Sequence, residues 1–136
     1  MTDGNKIFVD ASALIALFVK NDPHHQKAVH FIGGLHEKIV LTTTPPVYFE
    51  AMTVIAQKAG LSAAKLFRDH YHDISFQTYE IDKQCVLDAE KSLFGQKSKN
   101  LPFFDCLYMS IMRKNNIKEI FTYDRHFKRL GFTLVG

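Results

Sequence analysis

The chain has 136 residues and a mass of 15.6 kDa, which fits a single domain around one hydrophobic core over residues 1–136. Hydrophobic residues make up 46% and charged residues 23% of the sequence, a balance that excludes a disordered chain, a coiled coil and a disulfide-stapled scaffold. The formal net charge of +3 at pH 7 permits contact with nucleic acid without requiring it.

The chain carries no sign of export or membrane insertion. The longest apolar stretch near the N-terminus covers residues 13–19, which is too short to span a bilayer, and no signal-peptide cleavage pattern follows it. The two cysteines, Cys85 and Cys106, are too few for a disulfide framework and do not form a metal-binding pair. We therefore expect a soluble, unprocessed, cytoplasmic protein.

Short runs rich in β-branched and aromatic residues alternate with amphipathic stretches along the chain. The pattern predicts strands at 7–9, 39–41, 76–79, 120–121 and 133–135. It predicts helices at 11–20, 23–31, 46–59, 62–72, 82–94 and 102–115, and a short turn at 125–130. This alternation is typical of an α/β fold with a parallel sheet covered on both faces, whose ligands bind beyond the carboxyl ends of the strands.

Three residues mark the expected helix ends. Gly60 is predicted to end one helix, Ser62 to cap the next, and Pro102 to occupy the first position of the helix over 102–115.

Positive charge is concentrated toward the C-terminus. Residues 91–129 contain nine Lys and Arg, including Lys99, and three Asp and Glu, a net charge of +6, whereas the rest of the chain has eight bases and eleven acids, a net charge of −3. Such a segment could form a surface that faces nucleic-acid phosphates or an ordinary solvated helical face.

Four of the fourteen acidic residues have apolar neighbours in the sequence. Asp10 and Asp124 follow two predicted strands, while Glu50 and Asp105 lie on the apolar faces of two predicted helices. Each has a structural explanation: a helix cap for the first two, a salt bridge for Glu50, and a favourable charge in the first helical turn for Asp105. Considered together, the four are expected to converge on one crevice at the edge of the sheet.

Converging carboxylates raise one another's pKa unless a cation lies between them, and Mg²⁺ prefers oxygen ligands of this kind. The seven histidines are scattered and lack Cys or HExxH-type partners, so we interpret them as surface or capping residues. An all-carboxylate site is typical of metal-assisted phosphodiester hydrolysis.

These motifs resemble the PIN domain family, and within it the VapC-like ribonuclease toxins of toxin-antitoxin pairs. The resemblance covers nearly the whole chain. The four acids lie, in order, in the matching segments IFVDASALIALFVKNDPHHQKA, TTPPVYFEAMTVIAQKAG, LPFFDCLYMSIMRKNNI and EIFTYDRHFKRLGFTLV.

The resemblance implies a three-layer α/β/α sandwich with a central, mostly parallel sheet, and a metal-dependent endoribonuclease that acts as the toxin of such a pair. Asp10 and Asp105 would be the principal ligands of Mg²⁺, with Mn²⁺ as a substitute, and Glu50 and Asp124 would complete the catalytic, metal-binding pocket. The implied partners are an RNA substrate, a cognate antitoxin protein and a second copy of the chain. Two further residues, Ser12 and Thr122, match positions where the family often has a hydroxyl near the site.

Two groups beside the acids have open roles. Arg125, with Lys128 and Arg129, could hold the RNA backbone near Asp124 or could simply be solvated. Phe103 and Phe104 cannot both face inward on one helix, so one of them could meet RNA, a second copy of the chain or the antitoxin.

The main alternative is a catalytically silent module of the same fold that binds RNA or a protein. Two other acidic α/β classes fit less well. A phosphoacceptor receiver domain needs paired acids after the first strand, where this chain has Asp10 alone. A haloacid-dehalogenase-type phosphatase needs a DxD pair, where this chain has Asp10-Ala11-Ser12.

Overall fold

A computed structural model describes residues 5–97 and 101–136. Lys99 of the basic C-terminal segment lies outside these residues. The elements, in chain order, are β1 (Lys6–Val9), α1 (Ala11–Phe18), α2 (His25–Gly33), β2 (Val40–Thr43), α3 (Pro45–Ala59), α4 (Leu61–Asp73), β3 (Gln77–Thr78), α5 (Lys83–Gly95), α6 (Phe103–Lys114), β4 (Glu119–Phe121), α7 (His126–Arg129) and β5 (Thr133–Val135). The predicted alternation of strands and helices is confirmed.

The five strands form one sheet in the order β3-β2-β1-β4-β5, and every neighbouring pair is parallel. The central strand β1 pairs with β2, where Ile7 lies opposite Leu41, and with β4, where Phe8 lies opposite Ile120. The carboxyl ends of β1 and β4 therefore meet at one edge of the sheet. There the amide of Asp10 donates a hydrogen bond of 3.1 Å to the carbonyl of Phe121.

Helices cover both faces of the sheet, which confirms the predicted three-layer α/β/α architecture. Successive side chains of β1 point to opposite faces. The ring of Phe8 contacts that of Tyr108 in α6, with 5.6 Å between their centroids, whereas Val9 lines a cavity together with Leu14 and Leu17 of α1. Helix α6 is buried along most of its length, so a charged residue near its start is carried into the core.

The junction between α3 and α4 differs from the prediction at one position. Gly60 ends α3 as expected, with a φ of +91° that favours glycine, but it is also the residue that precedes the first turn of α4. Because a single residue joins the two helices, Ser62 already lies inside α4, so its predicted capping role is wrong.

Pro102 directly precedes α6 rather than occupying its first turn.

Both cysteines are buried and free, which agrees with the absence of a disulfide framework from the sequence pattern. Within the two described segments, every helix is too short or too polar to cross a bilayer.

Candidate active site

Asp10 follows β1 directly and is almost completely buried, with 3% of its surface exposed. Its Oδ2 accepts hydrogen bonds from the hydroxyls of Ser12, at 3.0 Å, and Thr122, at 2.8 Å. Burial raises the pKa of Asp10, the two hydroxyl bonds lower it, and the charge of Asp124 raises it further. Although Asp10 precedes α1, its side chain makes no capping hydrogen bond. A helix cap therefore does not explain the acid at this position.

The hydroxyls of Ser12 and Thr122 join the ends of β1 and β4. Their oxygens lie 3.1 Å apart. The amide of Tyr123 donates to Ser12 Oγ at 3.0 Å, and the amide of Asp124 donates to Thr122 Oγ1 at 3.0 Å. This network fixes the loop after β4 against Asp10, so the predicted hydroxyl positions do lie beside the acids.

Glu50 lies on α3, which begins at Pro45 and directly follows β2. The side chain is half-buried, and its Oε1 accepts a hydrogen bond of 2.6 Å from the hydroxyl of Tyr108. Burial raises the pKa of Glu50, the bond from Tyr108 lowers it, and the charges of Asp10 and Asp124 raise it. Among the described residues Glu50 contacts Tyr108 and no basic side chain, so its burial there is accompanied by a hydrogen bond rather than a salt bridge.

Asp105 lies in the first turn of α6 with only 7% of its surface exposed. Burial and the charge of Asp10 raise its pKa to about 6, while a hydrogen bond to His126 opposes that rise. The two atoms of this bond, Asp105 Oδ2 and His126 Nε2, are 2.6 Å apart.

Asp124 differs from the other three acids because half of its side chain, 52%, is exposed. The sequence predicted apolar surroundings like those of Asp10, but β4 ends at Phe121 and the buried polar position next to it is taken by Thr122. Asp124 therefore lies in the loop, where solvent reaches it.

The four predicted acids nevertheless lie close enough together for the charge of one to affect the pKa of another. Asp124 contributes to the raised pKa of each of the other three, and Asp10 contributes to those of Glu50 and Asp105. Two of the acids come from the ends of neighbouring strands and two from helices that pack near the same edge. We call this place the acidic crevice and define it by these four residues.

The donor set of the acidic crevice fits a divalent cation. Carboxylate oxygens are preferred ligands of Mg²⁺ and Mn²⁺, and mutual repulsion among buried carboxylates is relieved by a cation between them. One donor atom each from Asp105, Asp124 and His126 lies within 4.8 Å of the other two. These three side chains therefore form a group whose donor atoms are close enough together to hold an ion.

Two residues that contact the acidic crevice were not identified from the sequence. The interpretation of all histidines as surface or capping residues is wrong for His126, which contacts Asp105. Its position two residues after Asp124 was the available signal. The sequence pattern places Tyr108 on the apolar face of its helix, yet its hydroxyl donates a hydrogen bond to Glu50. A tyrosine three residues after a buried acid indicates a polar group on the same helical face.

The remaining candidates lie around the crevice. Arg125 is exposed and directly precedes α7. Phe103 packs against the core, whereas Phe104 is 46% exposed and stacks on Tyr108 with 6.4 Å between ring centroids. Phe104 is thus the outward-facing member of the pair.

Comparison with known proteins gives a family match and matches to solved structures. The sequence model of the PIN domain matches residues 7–133. A search of curated proteins found no match. Among solved structures, the chain is similar to VapC20 of Mycobacterium tuberculosis, described as a sarcin-ricin loop cleaving toxin, with a TM-score of 0.85 and 24% identity over 93% of this chain and 96% of that one. This likeness establishes the fold.

Proposed function

The chain belongs to the PIN domain family, and from this we propose that residues 1–136 form one endoribonuclease domain that hydrolyses RNA phosphodiester bonds as the toxin of a toxin-antitoxin pair. The observation that carries the proposal is the acidic crevice itself. Burial and mutual repulsion raise the pKa of Asp10, Glu50 and Asp105 together. Groups of carboxylates with raised pKa values are typical of cation-binding and catalytic sites.

The cation we propose is divalent, with Mg²⁺ expected from the carboxylate oxygens and Mn²⁺ as a substitute. Asp10, Glu50, Asp105 and Asp124 would hold it. When bound, such an ion activates water and stabilises the leaving oxygen of a phosphodiester.

The chain's own residues have separable roles in this proposal. Ser12 and Thr122 fix the Asp10 carboxylate through their two hydrogen bonds. Burial and the charge of Asp10 raise the pKa of Asp105 to about 6 in the metal-free protein, so a cation beside Asp105 would relieve a carboxylate that burial and repulsion disfavour. Arg125, exposed beside Asp124, would contact the RNA backbone.

Support for RNA as the substrate and for a toxin role comes from the structural likeness to VapC20, which is a toxin that cleaves the sarcin-ricin loop. By the same likeness to VapC-like toxins we propose a cognate antitoxin and a second copy of the chain as partners. An enzyme that cuts cellular RNA would act in the cytoplasm.

The proposal is tested by incubating the purified protein with mixed cellular RNA, with Mg²⁺ and with a chelator. The same assay compares Asp10→Asn, Asp105→Asn and the matched control Asp73→Asn, an exposed acid at the end of α4. Circular dichroism verifies that each variant is folded. We expect discrete cuts from the wild type and the control only, and a loss of about 100-fold or more in the two crevice variants.

The alternative, a silent interaction module, makes the opposite prediction. Protein shown free of antitoxin would then leave all RNA intact and bind neither Mg²⁺ nor Mn²⁺ at millimolar concentration. Cuts that persist in the chelator or in both crevice variants would assign the cleavage to a contaminant or another site.

A further inference from the structure

The ring of His126 lies between two carboxylates of the acidic crevice. Its Nε2 is 2.6 Å from Asp105 Oδ2, and its Nδ1 is 3.9 Å from Asp124 Oδ1. About a quarter of the histidine side chain, 23%, is exposed. The next residue, Phe127, is fully buried and holds α7 against the core, and its ring lies 4.8 Å from that of His126 between centroids.

The two nitrogens have different environments. The contact to Asp105 is a short hydrogen bond that sets the orientation of the ring. An ionised carboxylate can only accept, so Nε2 carries the proton, and in the neutral imidazole the lone pair of Nδ1 is then free. The gap of 3.9 Å to Asp124 is too long for a hydrogen bond, and within the described segments Nδ1 has no other hydrogen-bond partner.

A gap of this size suits two ligands of one ion. Ligands that bind at about 2.1 Å from a common ion lie at most about 4.2 Å apart, so Nδ1 and the Asp124 oxygen are within reach of the same cation. A histidine that binds a metal through one nitrogen usually donates its other N–H to a carboxylate or carbonyl. His126 already makes that second contact, to Asp105.

We propose that His126 binds the divalent cation of the acidic crevice through Nδ1, together with Asp124, and that this nitrogen ligand makes the site favour Mn²⁺ over Mg²⁺. Mg²⁺ prefers oxygen ligands and water, whereas imidazole nitrogen binds first-row transition ions more strongly. The inference rests on the proposed function and revises it in two ways. Asp105 orients His126 and does not bind the same ion. The expected ion changes to Mn²⁺, because imidazole nitrogen favours it more than carboxylate oxygen does.

The test measures metal binding by the full-length, metal-free protein rather than its activity. Electron paramagnetic resonance follows a titration with Mn²⁺, and competition gives the affinity for Mg²⁺. Pulsed measurements on the Mn²⁺-loaded wild type are expected to show hyperfine coupling to a directly bound nitrogen. This readout needs no variant.

The variant His126→Ala is expected to lose the nitrogen coupling and to bind Mn²⁺ about tenfold or more weakly. Its affinity for Mg²⁺ is expected to change by less than about threefold, so the ratio of the two affinities shifts toward Mg²⁺. The matched control His30→Ala removes an exposed histidine of α2 and is expected to leave both affinities and the coupling unchanged.

The outcomes separate this inference from the function on which it rests. A wild type that binds both ions without nitrogen coupling, or an unchanged affinity ratio in His126→Ala, would overturn the role of His126 alone. A wild type that binds neither ion at millimolar concentration would overturn the metal-dependent nuclease and this inference together.

Discussion

The carboxylate of Asp10 is almost completely buried. Burial and the charge of Asp124 both raise the pKa of Asp10. In Asp10→Asn the amide oxygen still accepts the hydroxyl bonds of Ser12 and Thr122, but the charge is gone. We expect this variant to lose RNA cleavage while its free energy of unfolding at pH 7, without metal, rises by about 1 kcal/mol. Urea unfolding and the cleavage assay measure the two effects.

The exposed Asp73 provides the comparison. Asp73→Asn is expected to change the free energy of unfolding by less than about 0.5 kcal/mol and to cleave RNA normally. If Asp10→Asn instead destabilised the protein, its loss of cleavage would report damaged folding, and removal of the carboxylate charge would not explain it.

Single residues differ in how well the sequence predicts them. An acid among apolar neighbours is visible locally, which is why Asp10, Glu50 and Asp105 could be identified as candidates. The exposure of Asp124 and the contact of His126 with Asp105 depend on the path of the loop between β4 and α7. That path is set by long-range hydrogen bonds to Ser12 and Asp10, which no local pattern contains.

At the scale of elements, α3 and α6 are linked across the crevice by the hydrogen bond from Tyr108 to Glu50. In Tyr108→Phe the ring still packs against Phe8, but the carboxylate loses its donor. We expect a loss of about 1–2 kcal/mol in the free energy of unfolding. We also expect a further rise in the pKa of Glu50, because the hydroxyl bond lowers it. Urea unfolding checks the first effect and carboxyl NMR titration the second.

Tyr48→Phe is the matched control, because the half-buried ring of Tyr48 packs against Phe67 while its hydroxyl makes no hydrogen bond to the protein among the described residues. Its free energy of unfolding is expected to stay within about 0.5 kcal/mol of the wild type. Equal losses in the two variants would mean that the bond to Glu50 contributes nothing specific to the contact between α3 and α6.

Element boundaries were predictable wherever a residue with a special backbone marks them, as Gly60 does. Strand β3 is the weakest prediction, since only two of the four expected residues pair with β2. It is the edge strand, and its paired residues Gln77 and Thr78 are both exposed, so little burial supports a longer ladder.

At the scale of the whole molecule, the alternation of strands and helices predicts a parallel sheet because parallel strands need crossover connections. The order β3-β2-β1-β4-β5 does not follow from that alternation, because several orders satisfy it. This order places the ends of β1 and β4 side by side, and so it brings together acids that lie far apart in the sequence.

The concentration of acids gives the metal-free protein an unusual dependence on pH. The pKa values of Asp10, Glu50 and Asp105 are raised in the folded state, that of Asp105 to about 6, so the folded protein binds more protons than the unfolded chain below that pH. The free energy of unfolding is therefore expected to rise as the pH falls from 7 to about 5. It is expected to fall again in stronger acid, where Asp82 is protonated, because Lys114 holds the pKa of that carboxyl below its usual range.

A divalent cation is expected to reverse the dependence of stability on pH between 7 and about 5. The ion binds the ionised carboxylates of the folded state and competes with protons for them, so millimolar Mn²⁺ should raise the melting temperature clearly at pH 7.5 and little at pH 5. Thermal unfolding at both pH values, with Mn²⁺ and with a chelator, measures the difference. Equal shifts at the two pH values, or a full shift in Asp10→Asn, would place the ion outside the acidic crevice, since only there does its binding displace these protons.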